Sequence, residues 1–350
     1  MKGRIIVTDE IAGRGYAALL VDGKLEDLLV DPAEDDPTPR PGAIYWGRVT
    51  RKSQNAGGVF ADLGGAEGLV REAPGLRPGD MILAQVTSHA EAGKAVPMSA
   101  RVLYKGRYAI LSPTAPGVNV ARRIRDGAER DRLAAIAAEA LGDDDTGAII
   151  RSASEGVAAE AIAEDIATLT DLRAAAEAAA EAGPCLAVEA PGAIVEAWRD
   201  WSDPDPDAVW QDEESREGHF EHFGVWEAID ALRSPRVALP GGGHMYVEAT
   251  RAMVAVDVNT GKDFSPAACL KANLAAIREL PRQLRLRGFG GQVTVDLAPL
   301  AKKERVQLET ALRAALKADA VETSFAGWTP LGNLELQRKR ERRPITELLA

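Results

Sequence analysis

Residues 252–297 read AMVAVDVNTGKDFSPAACLKANLAAIRELPRQLRLRGFGGQVTVDL, and this stretch decides the fold class. Two short valine-rich runs, MVAVDV and QVTVDL, flank a longer segment whose apolar residues recur at helical spacing. The Gly-rich turn GFGG separates that helix from the second run, so the unit reads strand, helix, strand. Pro281 lies inside the helical segment and predicts a kink, or the end of one helix and the start of another. The helical pattern KKERVQLETALRAAL follows, which makes the C-terminal part a β-α-β-α run.

Each run carries an aspartate near its C-terminal end, Asp257 and Asp296. Side chains two apart on a strand share a face, so Asp257 and Asn259 point one way while Val256 and Val258 point the other. A carboxylate in an apolar strand is costly unless it is paired or bound to a cation. If the two strands are neighbours, both carboxylates meet at one edge of the sheet, where open α/β sheets put their ligands. Two carboxylates and an amide form a hard oxygen set suited to Mg2+ or Mn2+ together with a phosphate. Spacing alone leaves a second reading open, in which Asp257 makes an Asx-turn with the NTG after it and Asp296 caps the next helix. Lys262, Arg285, Arg287, Lys302 and Lys303 flank both carboxylates and favour a polyanion there, although a solvated basic face has the same composition.

Upstream, PRVALPGGGHMYVEATRAMVAVDVNTG reads as strand, glycine turn, strand, turn, strand. FGVWEAIDAL before it is a short amphipathic helix, and His219 and His222 beside Phe220 and Phe223 read as core or boundary histidines rather than metal ligands. Residues 119–182 hold two Ala- and Glu-rich helices, over 126–141 and 156–182, with the strand GAIIRSAS between them. Between residues 42 and 111, AIYWGRVT, GGVFADLG, GLVRE, MILAQVTS and YAILSP form five short strands, the count of a small OB-type barrel. Residues 1–30 read as two strands, RIIVT and YAALLVDG, without a core of their own. No repeat of solenoid period recurs.

The chain has 350 residues, 46% of them hydrophobic and 27% charged, which suits several globular domains and excludes collagen, coiled coil and global disorder. No apolar run approaches the roughly 18 residues of a membrane span, and MKGRIIVTDE lacks the features of a signal peptide, so a cytoplasmic protein is expected. Cys185 and Cys269 are too far apart for a metal knuckle and read as buried thiols. The net charge of −11 argues against a surface coated in nucleic acid. Acidic residues concentrate at 31–36 and 203–217, however, and basic ones at 48–52, 122–125, 282–287 and 338–343, so a basic groove remains compatible with an acidic exterior.

YAALLVDGKLEDLLVD, GAIYWGRVTR with GVFADLG, GRYAILSP, GAIIRSASEG, VALPGGGHMYVEATRAMVAVDVNTG, NLAAIRELPRQLRLRGFGGQVTVDL and PLGNLELQRKR occur in that order. Together they resemble the ribonuclease E/G family of bacterial endoribonucleases. The resemblance implies an α+β and α/β multidomain chain: an RNase H-like subdomain split between 1–38 and 203–245, an OB-fold RNA-binding domain at 39–112, a 5′-sensor α+β domain at 113–202 and a DNase I-like catalytic domain at 246–350. It implies that Asp257 and Asp296 hold Mg2+ or Mn2+, that Asn259 orients Asp257 or the scissile phosphate, and that single-stranded, often A/U-rich RNA is hydrolysed to 5′-phosphate products. Arg151 and Ser152 match the pair that grips a 5′-phosphate, a guanidinium fork beside a hydroxyl. Phe60 would stack a base, and Tyr45, Lys94, Lys262, Arg285 and Arg287 would contact RNA. Tyr45 and Trp46 are adjacent, so only one of them can face a groove.

The text departs from the family pattern at several points. No CPxC follows the basic RKR segment, so no zinc is expected and any homodimer would form without a zinc link. The loop after Asn259 is short, Pro299 stands where a second acid is usual, Ser152 replaces a threonine, and Leu69 replaces the barrel's second aromatic. The functional alternative is a catalytically weak or inactive RNA-binding relative of the same family, and a phosphodiesterase acting on another nucleic acid is a third reading.

Overall fold

The computed structural model describes residues 2–54, 57–71, 73–142, 144–211 and 218–349, so part of the acidic segment at 203–217 lies outside the described residues. Internal contacts divide the chain into two units, one of residues 1–34 with 209–350 and the other of residues 35–208.

The first unit begins with an antiparallel meander, β1 (Arg4–Ile11), β2 (Arg14–Val21) and β3 (Lys24–Val30). Its turns are Ala12-Gly13 (φ 52° and 74°) and Asp22-Gly23 (φ 51° and 76°), pairs of positive φ whose twist matches the flanking strands. The Asp-Gly turn explains why KLEDLLV is a third strand where the text suggested two.

The second unit opens with a closed five-strand barrel, consistent with an OB-fold: β4 (Ile44–Lys52), β5 (Gly58–Asp62), β6 (Glu67–Arg71), β7 (Met81–Val86) and β8 (Val96–Ser99), with β4–β7 pairing closing the ring. Val49, Val59, Ala61, Val70, Ala84, Val86 and Met98 fill its core. The fifth strand is therefore Val96–Ser99 and not YAILSP, a correction whose cause is Pro97, a residue that ordinarily argues against a strand. Ala109–Ser112 instead belongs to a second sheet made of β9 (Tyr104–Lys105), β10 (Ala109–Ser112), β11 (Val118–Val120) and β12 (Gly147–Ile150), covered by helices. Helix α1 (Gly127–Leu141) is capped by Asp126, whose carboxylate accepts from the amides of Ala128 and Glu129. Strand β12 (Gly147–Ile150) and helix α2 (Ala159–Ala178) follow. Leu133, Ala137, Ile150, Ile162 and Ile166 make the shared core. Strand β13 (Cys185–Val188) pairs with β4, and helix α3 (Ala193–Trp201) ends the unit. Both cysteines are free, Cys269 buried and Cys185 only half-buried.

The chain returns to the first unit through β14 (Ala208–Trp210), which edges the N-terminal sheet, and the short helices α4 (His219–His222) and α5 (Val225–Ala231). His219 is buried, with Nδ1 3.0 Å from the Thr8 carbonyl, and His222 stacks on Trp210, so this pair serves packing. Next come β15 (Arg236–Ala238), β16 (His244–Ala249), β17 (Val254–Asn259), α6 (Pro266–Arg287), β18 (Gly291–Asp296), α7 (Arg305–Ala318), β19 (Thr323–Trp328), β20 (Leu334–Arg338) and α8 (Ile345–Leu348). The sheet order is β15-β16-β17-β18-β20-β19, with β17 and β18 parallel and the other pairs antiparallel. The hairpin β19–β20 extends the sheet beyond the β-α-β-α reading.

Helices α6 and α7 cover one face only. Val254, Val256, Val258, Val293 and Val295 pack against Ile277, Leu280, Leu284, Leu308 and Leu312, while Ala255, Asp257, Gln292 and Asp296 are exposed on the other face. Helix α6 runs through Pro281 without a break in its assignment. An interior proline costs about 3 kcal/mol, but burial of Ile277, Leu280 and Leu284 at about 1.5–3 kcal/mol each outweighs it. Gly288 ends the helix at φ 69°, and a Cβ there would lie 1.8 Å from the Arg343 carbonyl oxygen, so no other residue fits.

Candidate active site

The parallel register places Asp257 directly beside Asp296. Neighbouring strands are about 4.8 Å apart, and facing positions project on the same side, so both carboxylates rise from the uncovered face at one sheet edge. Their exposure corrects the premise that they sit in buried strands, since a carboxylate in water needs no compensating charge. Asn259 donates from Nδ2 to Oδ2 of Asp257 at 2.7 Å, which fixes the carboxylate plane and leaves Oδ1 unengaged by that bond. Among the described residues no group of three or more His, Cys, Asp or Glu side chains is arranged to hold a metal. The donor set is two carboxylates with an amide behind one of them, which fits a hard cation that keeps most of its ligands as water and phosphate.

The turn after Asp296 has a support that the sequence reading missed. Asn273 of α6, with no exposed surface, donates to the Ala298 carbonyl at 2.9 Å and accepts from the Ala298 amide at 3.0 Å. The signal was a lone amide in the apolar run ANLAAI. Across the sheet, Tyr246 faces Asp257 and His244 faces Asn259, two more positions not singled out from the text. Lys262 is exposed in the turn that leaves β17 at the carboxylate edge, and Lys302 and Lys303 are exposed in a short 3-10 helix that follows β18.

Arg285 and Arg287 do not contribute to that basic surface, which corrects their reading as RNA contacts. They are 7% and 4% exposed. Arg285 reaches Glu26, Asp27 and Asp319, Arg338 reaches Asp319, Arg342 reaches Asp27, and Arg287 donates to the Leu232 carbonyl. Burial would raise the Asp27 carboxyl, but Arg342 and Arg285 outweigh it and hold it below the usual carboxylate range. Arg285, Arg338 and Arg342 are consumed in tying β3 and α6 to β20 and the segment after it, and Arg287 in holding the chain after α5.

In the second unit Arg151 donates to the Gly106 carbonyl at 2.7 Å and to Oδ1 of Asp200 at 2.8 Å, and Ser152 donates from Oγ to Oδ2 of Asp203. Burial would raise the Asp200 carboxyl, yet Arg199 and Arg151 hold it below its ordinary value. Asp165 of α2 supports this corner by accepting from the amides of Arg107, Tyr108 and Ala109. In the barrel, the Arg51 guanidinium lies 3.9 Å from the centre of the Phe60 ring and covers one face of it. Tyr45 and Trp46 are both half-buried; Tyr45 packs against the barrel core, and Trp46 donates from Nε1 to the Ala176 carbonyl at 2.7 Å. Lys94 sits on the loop between β7 and β8, paired with Glu91 at 2.7 Å.

A profile of the Ribonuclease E/G family matches residues 104–219 and 209–341. The chain belongs to this family. It is 28% identical to Ribonuclease E of a Nostoc species over 99% of its own length, and 27% identical to Ribonuclease G of Salmonella typhimurium over 88%. Ribonuclease E of a Synechocystis species is 27% identical over 95% of the chain. The chain spans 57% of the Nostoc relative, 56% of the Synechocystis relative and 74% of the Salmonella relative. Among the described residues no helix of this ribonuclease E/G family member is long and apolar enough to cross a membrane.

Proposed function

We propose that the chain is a metal-dependent endoribonuclease that hydrolyses single-stranded RNA in RNA processing or decay and leaves 5′-phosphate ends. The carrying observation is the pairing of Asp257 with Asp296 on the open sheet face, with Asn259 holding Asp257 in place. In this reading residues 246–350 act as a DNase I-like catalytic domain, and residues 1–38 and 203–245 as an RNase H-like subdomain. Asp257 and Asp296 would hold Mg2+ or Mn2+, which supplies positive charge to the phosphoryl oxygens and acidifies the attacking water. Asn259 orients Asp257. Lys262, Lys302 and Lys303 attract the RNA backbone to the carboxylate edge.

The test is incubation of the purified chain with labelled A/U-rich single-stranded RNA in Mg2+, Mn2+ or EDTA. Internal cuts that require the metal and carry 5′-phosphates support the reading. RNA that is bound but never cut overturns it in favour of a non-catalytic RNA-binding relative.

Arg151 and Ser152 would bind a 5′-phosphate with the donors they now give to Asp200 and Asp203. A hydrogen bond to a charged group is worth about 1.5–3 kcal/mol, so Arg151→Ala should erase a preference of about ten- to one-hundredfold for 5′-monophosphorylated over 5′-hydroxyl RNA. Matched cleavage rates on the two substrates check this, and a preference that survives the substitution moves the sensor elsewhere.

A further inference from the structure

We propose that His244 and Tyr246 form a stacking platform for the nucleobase that flanks the phosphate held at Asp257 and Asp296, an assignment that rests on the endoribonuclease reading. Both residues lie on β16, beside β17, with Tyr246 paired to Asp257 and His244 to Asn259. Asp296, Asp257 and Tyr246 therefore stand in one row across three strands, each step about 4.8 Å. A group bound at the two carboxylates has the aromatic pair as its next neighbour on that side of the sheet.

The two rings have no packing role in the core of this sheet, which is on the opposite face. The residues between and after them, Met245 and Val247, are the ones that β16 buries there. His244 and Tyr246 are half-exposed on the open face, where Glu248, Gln292, Thr294 and Gln337 also lie with the small Ala255. Their centroids are 5.3 Å apart at 87°, an edge-to-face pair. Such a pair cannot cover both faces of either ring, and both residues keep exposed surface on the side of the sheet that carries the carboxylates. Cross-strand pairing does not account for them either, since the facing residues on β15 and β17 are Arg236, Ala238, Asp257 and Asn259, none of them aromatic. Purine and pyrimidine faces stack on such rings with little regard to sequence.

The experiment walks a single abasic nucleotide along a single-stranded RNA and measures affinity in EDTA and cleavage in Mg2+, for the full chain and for Tyr246→Val, His244→Val and Tyr246→Phe. One base next to the cut site should matter to the unaltered chain by about five- to one-hundredfold, the range of one base–aromatic stack. Tyr246→Val should lose the same factor on intact RNA and nothing further on RNA abasic at that position, and equal handling of the abasic RNA also shows that the variant is folded. Tyr246→Phe should match the unaltered chain. Losses that multiply when variant and abasic RNA are combined, or a scan in which no base depends on either ring, overturn the platform. If bound RNA is never cut, the endoribonuclease reading falls, and the affinity cycle still decides the platform by itself.

Discussion

Asp257→Asn is expected to bind single-stranded RNA about as tightly as the unaltered chain and to cut it at least about a thousandfold more slowly, because stabilising charge on a phosphoryl group is worth several kcal/mol and each 1.36 kcal/mol is a factor of ten in rate. The substitution keeps shape and removes only charge. The side chain is exposed at the C-terminal end of β17, so stability should change by no more than about 0.5 kcal/mol. The lysines at the same edge remain, so binding should be spared. Asp296→Asn should behave alike, and the double variant should be little slower than either single one, because groups that act as a unit lose their effect together. Single-turnover cleavage in Mg2+ with a parallel affinity measurement decides the matter. Either variant cutting at the unaltered rate would sink the site.

Asp319→Ala should have the largest effect on stability. The Asp319 side chain has no exposed surface and lies between the guanidinium groups of Arg285 and Arg338, themselves 7% and 1% exposed at their side chains. Burial already pulls the Arg338 guanidinium below its usual value, against the opposing pull of Asp319. Removing it leaves the buried Arg338 guanidinium without its carboxylate while Arg285 keeps Glu26 and Asp27, and stranding one buried charge typically costs about 3–5 kcal/mol. Urea unfolding followed by tryptophan fluorescence should show it. Replacing Asp319 and Arg338 together, as Asp319→Leu with Arg338→Leu, should recover much of the loss, because the stranded cation is then gone and Arg285 still has Glu26 and Asp27. A loss below about 1 kcal/mol in Asp319→Ala would fall within the range of exposed ion pairs and refute the buried network.

The contrast between these two clusters shows what the text could reveal. The strands that carry Asp257 and Asp296 were legible because valines at every second position mark one buried face, and a residue two along shares the face of its neighbour. Their adjacency entered only as a condition, and the parallel register of β17 and β18 meets it. The same alternation in HMYVEA would have put His244 and Tyr246 beside the carboxylates, had the register between β16 and β17 been drawn. Arg285 and Arg287 were misread because a run of arginines carries no record of its partners, and theirs are scattered from Glu26 to Asp319. The fifth barrel strand was hidden by Pro97 and the third N-terminal strand by the acidic look of KLEDLLV, whose Asp27 is an internal ligand for Arg342. Local composition described both segments correctly, and distant partners decided what they became.

The pairing of Asp27 with Arg342, 315 positions apart, has a consequence for the newborn chain. A ribosome adding about 5–20 residues per second needs roughly 15–60 s to make the second partner after the first. For most of that interval, until Arg282 and Arg285 of α6 are made, the carboxylates of β3 have none of their partner cations to meet, while residues 35–208 emerge as one uninterrupted stretch that contains every strand of its own barrel. The inserted unit can therefore mature while the sheet made first is still waiting, and the order of completion is the reverse of the order of synthesis. Slowing translation of the codons between residue 208 and Arg342 would prolong exposure of the N-terminal meander and leave the barrel untouched.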